Sequence, residues 1–294
     1  MSASERGEVC TGSCLCGAAQ WRAHGPFGPM VHCHCSMCRK AHGSAFATFV
    51  GAPAAGFAWT AGADNVAVYA SSAQGFRCFC RTCGSVTPPP QVPGDAVFLP
   101  AGNLLEDCGA RPSMHMFAAS RAPWVTLADD LERHDAGPPG VDLPDLPREP
   151  RRAESPGVVA GSCLCGSVRY EITGAPELMA NCHCSRCRRG RGAAHATNLF
   201  VRPEALRWLQ GENAVRVFDL PGAERFGIDF CPTCGGGVPR WSPKIGLYNV
   251  PGGSLDGDPG IRPSYHIYVA SKAPWFEITD DLPRYADGPP PAGG

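Results

Sequence analysis

The chain has 294 residues, of which 44% are apolar and 18% charged, and its 26 basic and 27 acidic residues give a net charge of −1. This length exceeds one typical domain, and the near-neutral charge argues against a general nucleic-acid binder, which needs clustered Lys and Arg for phosphate contacts. Residues 1–9 do not have the basic residues followed by an apolar stretch that a signal peptide needs. No segment has the run of about 18 apolar residues that a membrane-spanning helix needs. We therefore expect neither secretion nor membrane insertion, and we expect a cytoplasmic protein.

The first cysteine motif along the chain is a C-x-C turn, and a denser cluster follows it. Residues 12–17 read GSCLCG and residues 33–39 read CHCSMCR. The segments between the motifs are short and separated by glycine and proline, as in AVFLP at 96–100, and no long helical period is present. The sequence therefore predicts an all-β fold in which metal sites replace part of the apolar core.

A C-x-x-C turn, CRTCG at 80–84, completes this series, and the whole series then occurs a second time. GSCLCG returns at 161–166 and CHCSRCR at 182–188, both 149 residues later, whereas CPTCG at 231–235 and RPSYH at 262–266 return 151 residues later. A repeat of about 150 residues has the length of a domain, so we infer tandem duplication of a whole domain.

The two predicted domains are residues 1–138 and 158–294, joined by a Pro-rich linker at 139–157 that includes the basic segment PREPRR. We expect the domains to fold alike and to pack as an intramolecular pseudo-dimer. A cut within residues 140–155 is then expected to release two compact pieces.

The 17 cysteines are more consistent with metal ligands or reactive thiols than with disulfides in a reducing cytoplasm. Seven of them recur at matching positions in each half. Cys10, Cys78 and Cys108 do not recur, since they align with Val159, Asp229 and Pro259, and we interpret them as unligated thiols.

Two short two-cysteine turns that are distant in sequence commonly form a structural zinc site, so four of each seven cysteines predict a Cys₄ site. The predicted ligands are Cys14, Cys16, Cys80 and Cys83 in the first half, and Cys163, Cys165, Cys231 and Cys234 in the second. Gly17 and Gly84 follow these turns and permit the tight backbone that directs N–H groups at sulfur.

Three cysteines remain in each half, and three protein ligands with an open fourth position define a catalytic zinc site. These predicted catalytic ligands are Cys33, Cys35 and Cys38 in the first half, and Cys182, Cys184 and Cys187 in the second. The alternative is that His34, His183 or a more distant histidine closes the tetrahedron. Alternation along an extended chain points His34 away from its neighbours, which favours the open site.

Basic residues follow the third cysteine directly, namely Arg39, Lys40, Arg188 and Arg189. Zinc with three thiolates carries a net charge of −1, so adjacent cations would help an anionic sulfur ligand to bind; alternatively they donate to the cysteine sulfurs. Because three thiolates blunt the Lewis acidity of zinc, we expect capture of a thiol, or of its adduct with a carbonyl compound, at the open position.

The ordered motifs are G-x-C-x-C-G, C-H-C-x-x-C-R, C-x-x-C-G, and R-P-x-x-H followed by S-K-A-P-W. This set, present twice and covering both halves nearly end to end, resembles the glutathione-dependent formaldehyde-activating enzyme family, which includes centromere protein V. The resemblance implies two tandem Mss4-like domains of coiled β-sheets, each with one structural and one active-site zinc, hence up to four Zn²⁺ per chain.

The resemblance also implies a carbon–sulfur lyase that forms S-hydroxymethylglutathione from glutathione and formaldehyde. A small thiol such as glutathione is then the expected partner, with no nucleic acid and no membrane. The alternatives are a zinc-binding scaffold or interaction module in which all zinc is structural, and a thiol-based sensor.

The chain departs from the familiar single-domain members in having two copies that differ near the cysteines. Phe46 aligns with His195 and Phe49 with Asn198, so the second pocket is predicted to be more polar. The second pocket then either accepts a different substrate or is unreactive because His195 is the fourth ligand of its zinc.

Two further pairs of repeated residues are assigned to the core. His115 and His266 alternate with apolar residues as strand positions do, and buried hydrogen-bonded histidines are a simpler interpretation than a catalytic or ligand role. Trp124 and Trp275 are interpreted as packing residues.

Overall fold

The structure, a computed structural model, describes residues 9–73, 75–139 and 157–289. Almost the whole predicted linker, including PREPRR, lies outside these residues. The first half contains the strands β1 (Val9–Ser13), β2 (Gln20–His24), β3 (Met30–Cys33), β4 (Ala47–Pro53), β5 (Phe57–Ala61), β6 (Val66–Ala70), β7 (Phe76–Cys80), β8 (Ala96–Pro100), β9 (Pro112–Met116) and β10 (Glu132–Arg133). It also contains helix α1 (Ser36–His42) and 3₁₀ turns at Ala54–Gly56, Ala63–Asn65, Ala101–Asn103 and Ala118–Ser120.

The second half follows a similar order, but among the described residues it has one extra strand, β18 (Arg240–Ser242), and no counterpart of β10. Its strands are β11 (Val159–Ser162), β12 (Arg169–Ile172), β13 (Leu178–Cys182), β14 (Ala196–Val201), β15 (Leu206–Gln210), β16 (Arg216–Asp219), β17 (Gly227–Phe230), β18 (Arg240–Ser242), β19 (Leu247–Pro251) and β20 (His266–Ile267). Helix α2 (Ser185–Arg191) matches α1, and 3₁₀ turns lie at Pro203–Ala205, Glu212–Ala214, Gly252–Ser254 and Val269–Ser271.

Each half folds into two sheets and a hairpin. The first has a three-stranded sheet β1-β2-β5, a five-stranded sheet β10-β9-β3-β4-β8 and the hairpin β6-β7. The second has β11-β12-β15, β18-β19-β14-β13-β20 and β16-β17. The predicted all-β fold is therefore confirmed. The strand that ends at the first cysteine of each C-H-C motif, β3 or β13, is an interior strand of the larger sheet.

The two α-helices are short because both ends are fixed by the sequence. Cys35 and Cys184 cap the N-termini, and Gly43 and Gly192 end the helices with left-handed backbone at φ 58° and 60°. Within the described residues, no helix has both the length and the apolar character needed to cross a membrane.

The apolar core is continuous across the two halves. One cluster of buried side chains contains Trp21 and Trp124 from the first half together with Tyr170 and Trp275 from the second. The interpretation of Trp124 and Trp275 as packing residues is confirmed, since they are only 3% and 2% exposed.

Reciprocal polar contacts join the halves. Lys40 on α1 donates to the carbonyl of Ser162 in the second half, at 2.9 Å, while the matching Arg189 on α2 donates to Ser13 Oγ in the first, at 3.3 Å. When matching residues of two copies each make the same contact with the other copy, the interface is twofold, or isologous. The two halves thus pack against each other as a pair within one chain.

The C-x-x-C turns meet at the same junction. Phe79 and Phe230 pack edge to face with ring centroids 6.3 Å apart. A Cβ atom on Gly84 would lie 2.6 Å from the Phe230 ring, and one on Gly235 would lie 2.4 Å from the Phe79 ring. Each phenylalanine therefore packs against the glycine that follows the C-x-x-C turn of the opposite half, where any side chain would clash.

Candidate functional site

The four-cysteine groups assemble as the sequence predicts. In each half the C-x-C and C-x-x-C sulfurs all lie within 4.8 Å of one another: Cys14, Cys16, Cys80 and Cys83, and Cys163, Cys165, Cys231 and Cys234. Cys14 Sγ lies 3.5 Å from Cys16 Sγ, which lies 3.7 Å from Cys80 Sγ. Tetrahedral zinc with bonds of about 2.3 Å separates its sulfurs by about 3.8 Å, so the spacing fits zinc.

Local backbone holds these sulfurs in place. Gly17 and Gly84 have φ 81° and 73°, as the tight turns require. The Ala19 N–H donates to Cys14 Sγ at 3.3 Å, and the Asn65 amide donates to Cys80 Sγ at 3.4 Å. Such donors orient thiolates and offset their charge.

The three-cysteine groups form where a strand passes into a short helix. Cys33 ends β3, Cys35 caps α1 and Cys38 lies in its first turn, so that all three sulfurs lie within 4.8 Å of one another. The Cys38 N–H donates to Cys35 Sγ at 3.3 Å. The partial positive charge of a helix N-terminus favours thiolates at this position.

The second half repeats this geometry with Cys182, Cys184 and Cys187, which also form a group within 4.8 Å. The Cys187 N–H donates to Cys184 Sγ at 3.3 Å. Cys184 and Cys187 are partly exposed, whereas all three cysteines of the first group are buried. The second group is therefore the more accessible one.

Histidines stand beside these groups rather than within them. His34 Nε2 lies 2.8 Å from His115 Nδ1, and His115 Nε2 lies 2.9 Å from the Asp129 carboxylate. The second half has the same chain of contacts through His183, His266 and Asp280, at 2.8 and 3.0 Å. His115 and His266 are thus buried and hydrogen-bonded, as the simpler interpretation states.

Burial keeps the inner histidines neutral, since it lowers the pKa of His34 to about 3 and that of His183 to about 2. The hydrogen bond between His34 Nε2 and His115 Nδ1 occupies that nitrogen of the His34 ring. Among the described residues, neither three-cysteine group includes a histidine, which agrees with an open fourth position.

The proposed closure of the second site by His195 is wrong for this structure. His195 lies in a cavity of about 460 Å³ between the halves, which His32, His115 and His266 also line. Its ring centroid is 5.6 Å from that of Phe46, the residue at the same position of the first copy. His195 therefore faces the junction and is not a member of the cysteine group.

The basic residues after the third cysteine divide into two pairs. Arg39 and Arg188 donate through Nε to the His34 and Ser271 carbonyls, at 3.3 and 3.1 Å, and keep their charge near the cysteines. Lys40 and Arg189 instead extend into the opposite half. The prediction that these two assist an anionic ligand is not supported, because backbone and side-chain oxygens across the junction already bind them.

Arg77 is a site residue that sequence reasoning missed. Its guanidinium lies 3.8 Å from Cys38 Sγ, and its Nε is buried without a hydrogen-bond partner among the described residues. Hydrogen bonds with Cys33 and Cys35, together with the Arg77 charge, lower the pKa of Cys38. Comparison of the two copies gives no signal for Arg77, since Ile228 occupies the matching position.

A cavity of about 470 Å³ borders the first three-cysteine group. Arg77 is the one charged side chain among its described lining residues, and most of the others are apolar. Cys78 also lines this cavity, whereas Cys10 and Cys108 lie in the shared core. None of these three thiols belongs to a metal-binding group among the described residues, as predicted.

A duplicated all-β chain with two four-cysteine and two three-cysteine groups defines a class of cysteine-rich proteins able to bind several metal ions. The sequence model for the family described as "Glutathione-dependent formaldehyde-activating enzyme" matches residues 9–120 and 158–271, more than half of the chain. The chain belongs to this family, with the family domain present in tandem.

Individual relatives match less than half of the chain. A Halomonas elongata protein named "Putative glutathione-dependent formaldehyde-activating enzyme" is 28% identical over 131 residues, which cover 41% of this chain and 81% of that protein. A crystal structure of a Rhodobacter sphaeroides protein is 27% identical, with a TM-score of 0.27, and the match covers 35% of this chain and 97% of that one.

Proposed function

We propose that the chain is a cytoplasmic zinc-dependent enzyme of the carbon–sulfur lyase type, acting on a small thiol or its aldehyde adduct. The observation that carries this proposal is the pair of three-cysteine groups, each at a helix N-terminus and each without a histidine among the described residues. A purely structural role would call for a fourth protein ligand. Family membership supports the reaction class.

The residues of the three-cysteine groups fit zinc through their soft thiolate donors and their close spacing. When bound, zinc would supply an open position for a substrate sulfur. The four-cysteine groups would hold two further zinc ions with a structural role, giving up to four per chain. The proposed domain boundaries are 1–138 and 158–294.

The chain's own residues then have distinct tasks in the first site. The Cys38 N–H orients Cys35, Arg77 offsets the thiolate charge, and the apolar walls exclude water from the reacting groups. In the reaction a sulfur–carbon bond forms between the thiol and the aldehyde, the carbonyl π bond opens, and the thiol proton ends on the new hydroxyl. The reverse direction breaks the same bond.

The test is metal content combined with thiol binding on the full chain. The zinc-loaded protein should hold close to four zinc ions and bind glutathione or another small thiol in calorimetry. The double variant Cys38→Ser, Cys187→Ser should retain about two zinc ions and lose thiol binding. Unchanged thiol binding by this variant would refute the proposed active centre and favour the scaffold interpretation.

A further inference from the structure

Residues that form the wall of the first three-cysteine site align with more polar residues in the second half. The first cavity is bordered by Phe49, Phe76 and Phe98. The aligned residues of the second half are Asn198, Gly227 and Asn249. Three aromatic rings beside the first cysteine group thus align with two amides and a glycine in the second half.

Exposure of these rings indicates a ligand-binding role. Phe98 is 54% exposed although Val97 and Leu99 on either side of it are buried, and Phe76 is 38% exposed. Exposed aromatic side chains grouped at a cavity are typical of a binding surface. They lie around the cavity that borders the first three-cysteine group.

Charge gives a second, independent indication. In the first site Arg77 already faces Cys38 Sγ at 3.8 Å, so it offsets thiolate charge and is not free for a substrate carboxylate. Glutathione carries two carboxylates and an ammonium group, whose desolvation in an apolar cavity costs free energy unless partners replace water. An uncharged hydrocarbon body gains free energy from the same burial.

The second half has charged residues where the first has apolar ones. Arg186 aligns with Met37, and Asp229 aligns with Cys78. Asp229 accepts a hydrogen bond from Arg240, so the charges of this ion pair already have partners. Arg186 directly precedes Cys187 and is exposed, so it offers a cation to a ligand carboxylate.

We propose that the duplication has divided the two sites between ligands of different polarity. The first site takes a thiol, or its aldehyde adduct, with an uncharged aromatic or aliphatic body, and the second takes a charged thiol of the glutathione kind. This inference rests on the proposed function, because it assumes that both three-cysteine groups bind thiols.

The experiment uses two full-length zinc-loaded chains, each with one intact three-cysteine site. Cys187→Ser leaves the first site and Cys38→Ser leaves the second, and each is titrated with 2-phenylethanethiol and with glutathione. The first site should bind 2-phenylethanethiol more than tenfold tighter than glutathione, and the second should show the opposite order. The same preference in both chains would overturn the inference.

A wall variant identifies the cause of any preference. In the Cys187→Ser chain, Phe49→Asn together with Phe98→Asn introduces the residues aligned in the second half and should weaken 2-phenylethanethiol binding at least tenfold, with zinc content unchanged. Leu105→Asn, at an equally exposed position outside this cavity, is the control and should have no effect. If the wall variant binds 2-phenylethanethiol normally, the inference fails while the proposed function stands. If neither thiol binds either one-site chain, the proposed function itself fails.

Discussion

Cys83 and Cys38 have the same side chain, but they belong to cysteine groups whose members are separated by very different lengths of chain. Cys83 belongs to a group whose two turns are distant in sequence, with a separation of 64 residues between Cys16 and Cys80. Metal binding there links distant strands, so its free energy is largely folding free energy, on the order of 10 kcal/mol for structural zinc. The group that contains Cys38 closes only a short loop, so its metal contributes less to folding.

We therefore predict opposite outcomes for serine substitutions in the two groups. Cys83→Ser or Cys234→Ser should give an unfolded or poorly soluble half, because the cross-link between distant turns is lost. Cys38→Ser or Cys187→Ser should remain folded and lose about one zinc ion. Thermal unfolding and zinc content measured on the four variants check this, and equal destabilisation by both kinds of variant would contradict it.

The predictability of the site also varies residue by residue. The cysteine groups could be predicted because each motif occurs twice and thiolate spacing follows directly from the turns. His34 is not a member of the first three-cysteine group, which agrees with the preferred prediction. Arg77 could not be predicted because it occurs in one copy only. The direction of the Lys40 and Arg189 side chains could not be predicted either, because packing between the halves determines it.

At the scale of elements, the turn before the 3₁₀ segment Ala63–Asn65 supports the first four-cysteine group. Gly62 begins this segment with φ 64°, and Asn65 at its end donates to Cys80 Sγ. A Cβ atom on Gly62 would lie 1.9 Å from the Ala18 carbonyl oxygen, near the C-x-C turn. The close approach of two backbones thus brings the hairpin β6-β7 next to the turn that follows β1.

We predict that Gly62→Ala destabilises the protein by about 3 kcal/mol or more, because a backbone clash adds to the cost of a positive φ. Gly94→Ala is the matched control, since Gly94 has φ 76° but a Cβ atom added to it would meet nothing within 4 Å. It should cost only about 1–2 kcal/mol. Urea unfolding of the zinc-loaded proteins measures the difference, and equal losses would mean that Ala18 moves aside freely.

The fold of each half could be predicted as all-β from its short segments bounded by glycine and proline. The strand order could not, because β9 pairs with β3 in parallel, His115 beside His32, although five strands and a helix lie between them in the chain. Local sequence does not encode such a distant pairing. The helices α1 and α2 escape prediction as well, since seven residues are too few for a periodic pattern.

At the scale of the whole molecule, the junction contains a buried ion pair. Lys40 Nζ lies 2.9 Å from Asp256 Oδ1, and the Asp256 side chain is only 1% exposed. Ser162 and Ser254 supply further oxygens to the ammonium group. Removing one partner of such a pair leaves a buried charge without its counter-ion.

We predict that Lys40→Met lowers the free energy of unfolding by about 3–5 kcal/mol. The double variant Lys40→Met, Asp256→Leu should recover most of this loss, because it removes the buried carboxylate as well. Arg111→Ala, which breaks the exposed pair with Asp107, should cost at most about 1 kcal/mol. Denaturant unfolding measures the free energy of unfolding of the three variants. A small decrease in Lys40→Met would show that water reaches the Asp256 carboxylate.

The continuous core also changes the expected result of cutting the chain. Because Trp21, Trp124, Tyr170 and Trp275 share one buried cluster, separation would expose a large apolar surface. We therefore predict that the halves remain associated after proteolysis within residues 140–155, rather than being released as two pieces. Gel filtration should give one species where denaturing electrophoresis gives two, and elution as separate halves would show that each half is stable alone.

The contact between Phe46 and His195 has a consequence for how such a protein can evolve. These residues occupy the same position of the two copies and meet at the junction. In a dimer of identical chains, a mutation at such a position would appear on both sides at once, so that only residues compatible with themselves would be tolerated there. Joining two copies in one gene removes that restriction, and a phenylalanine and an imidazole can face each other where a homodimer would have to pair two of a kind.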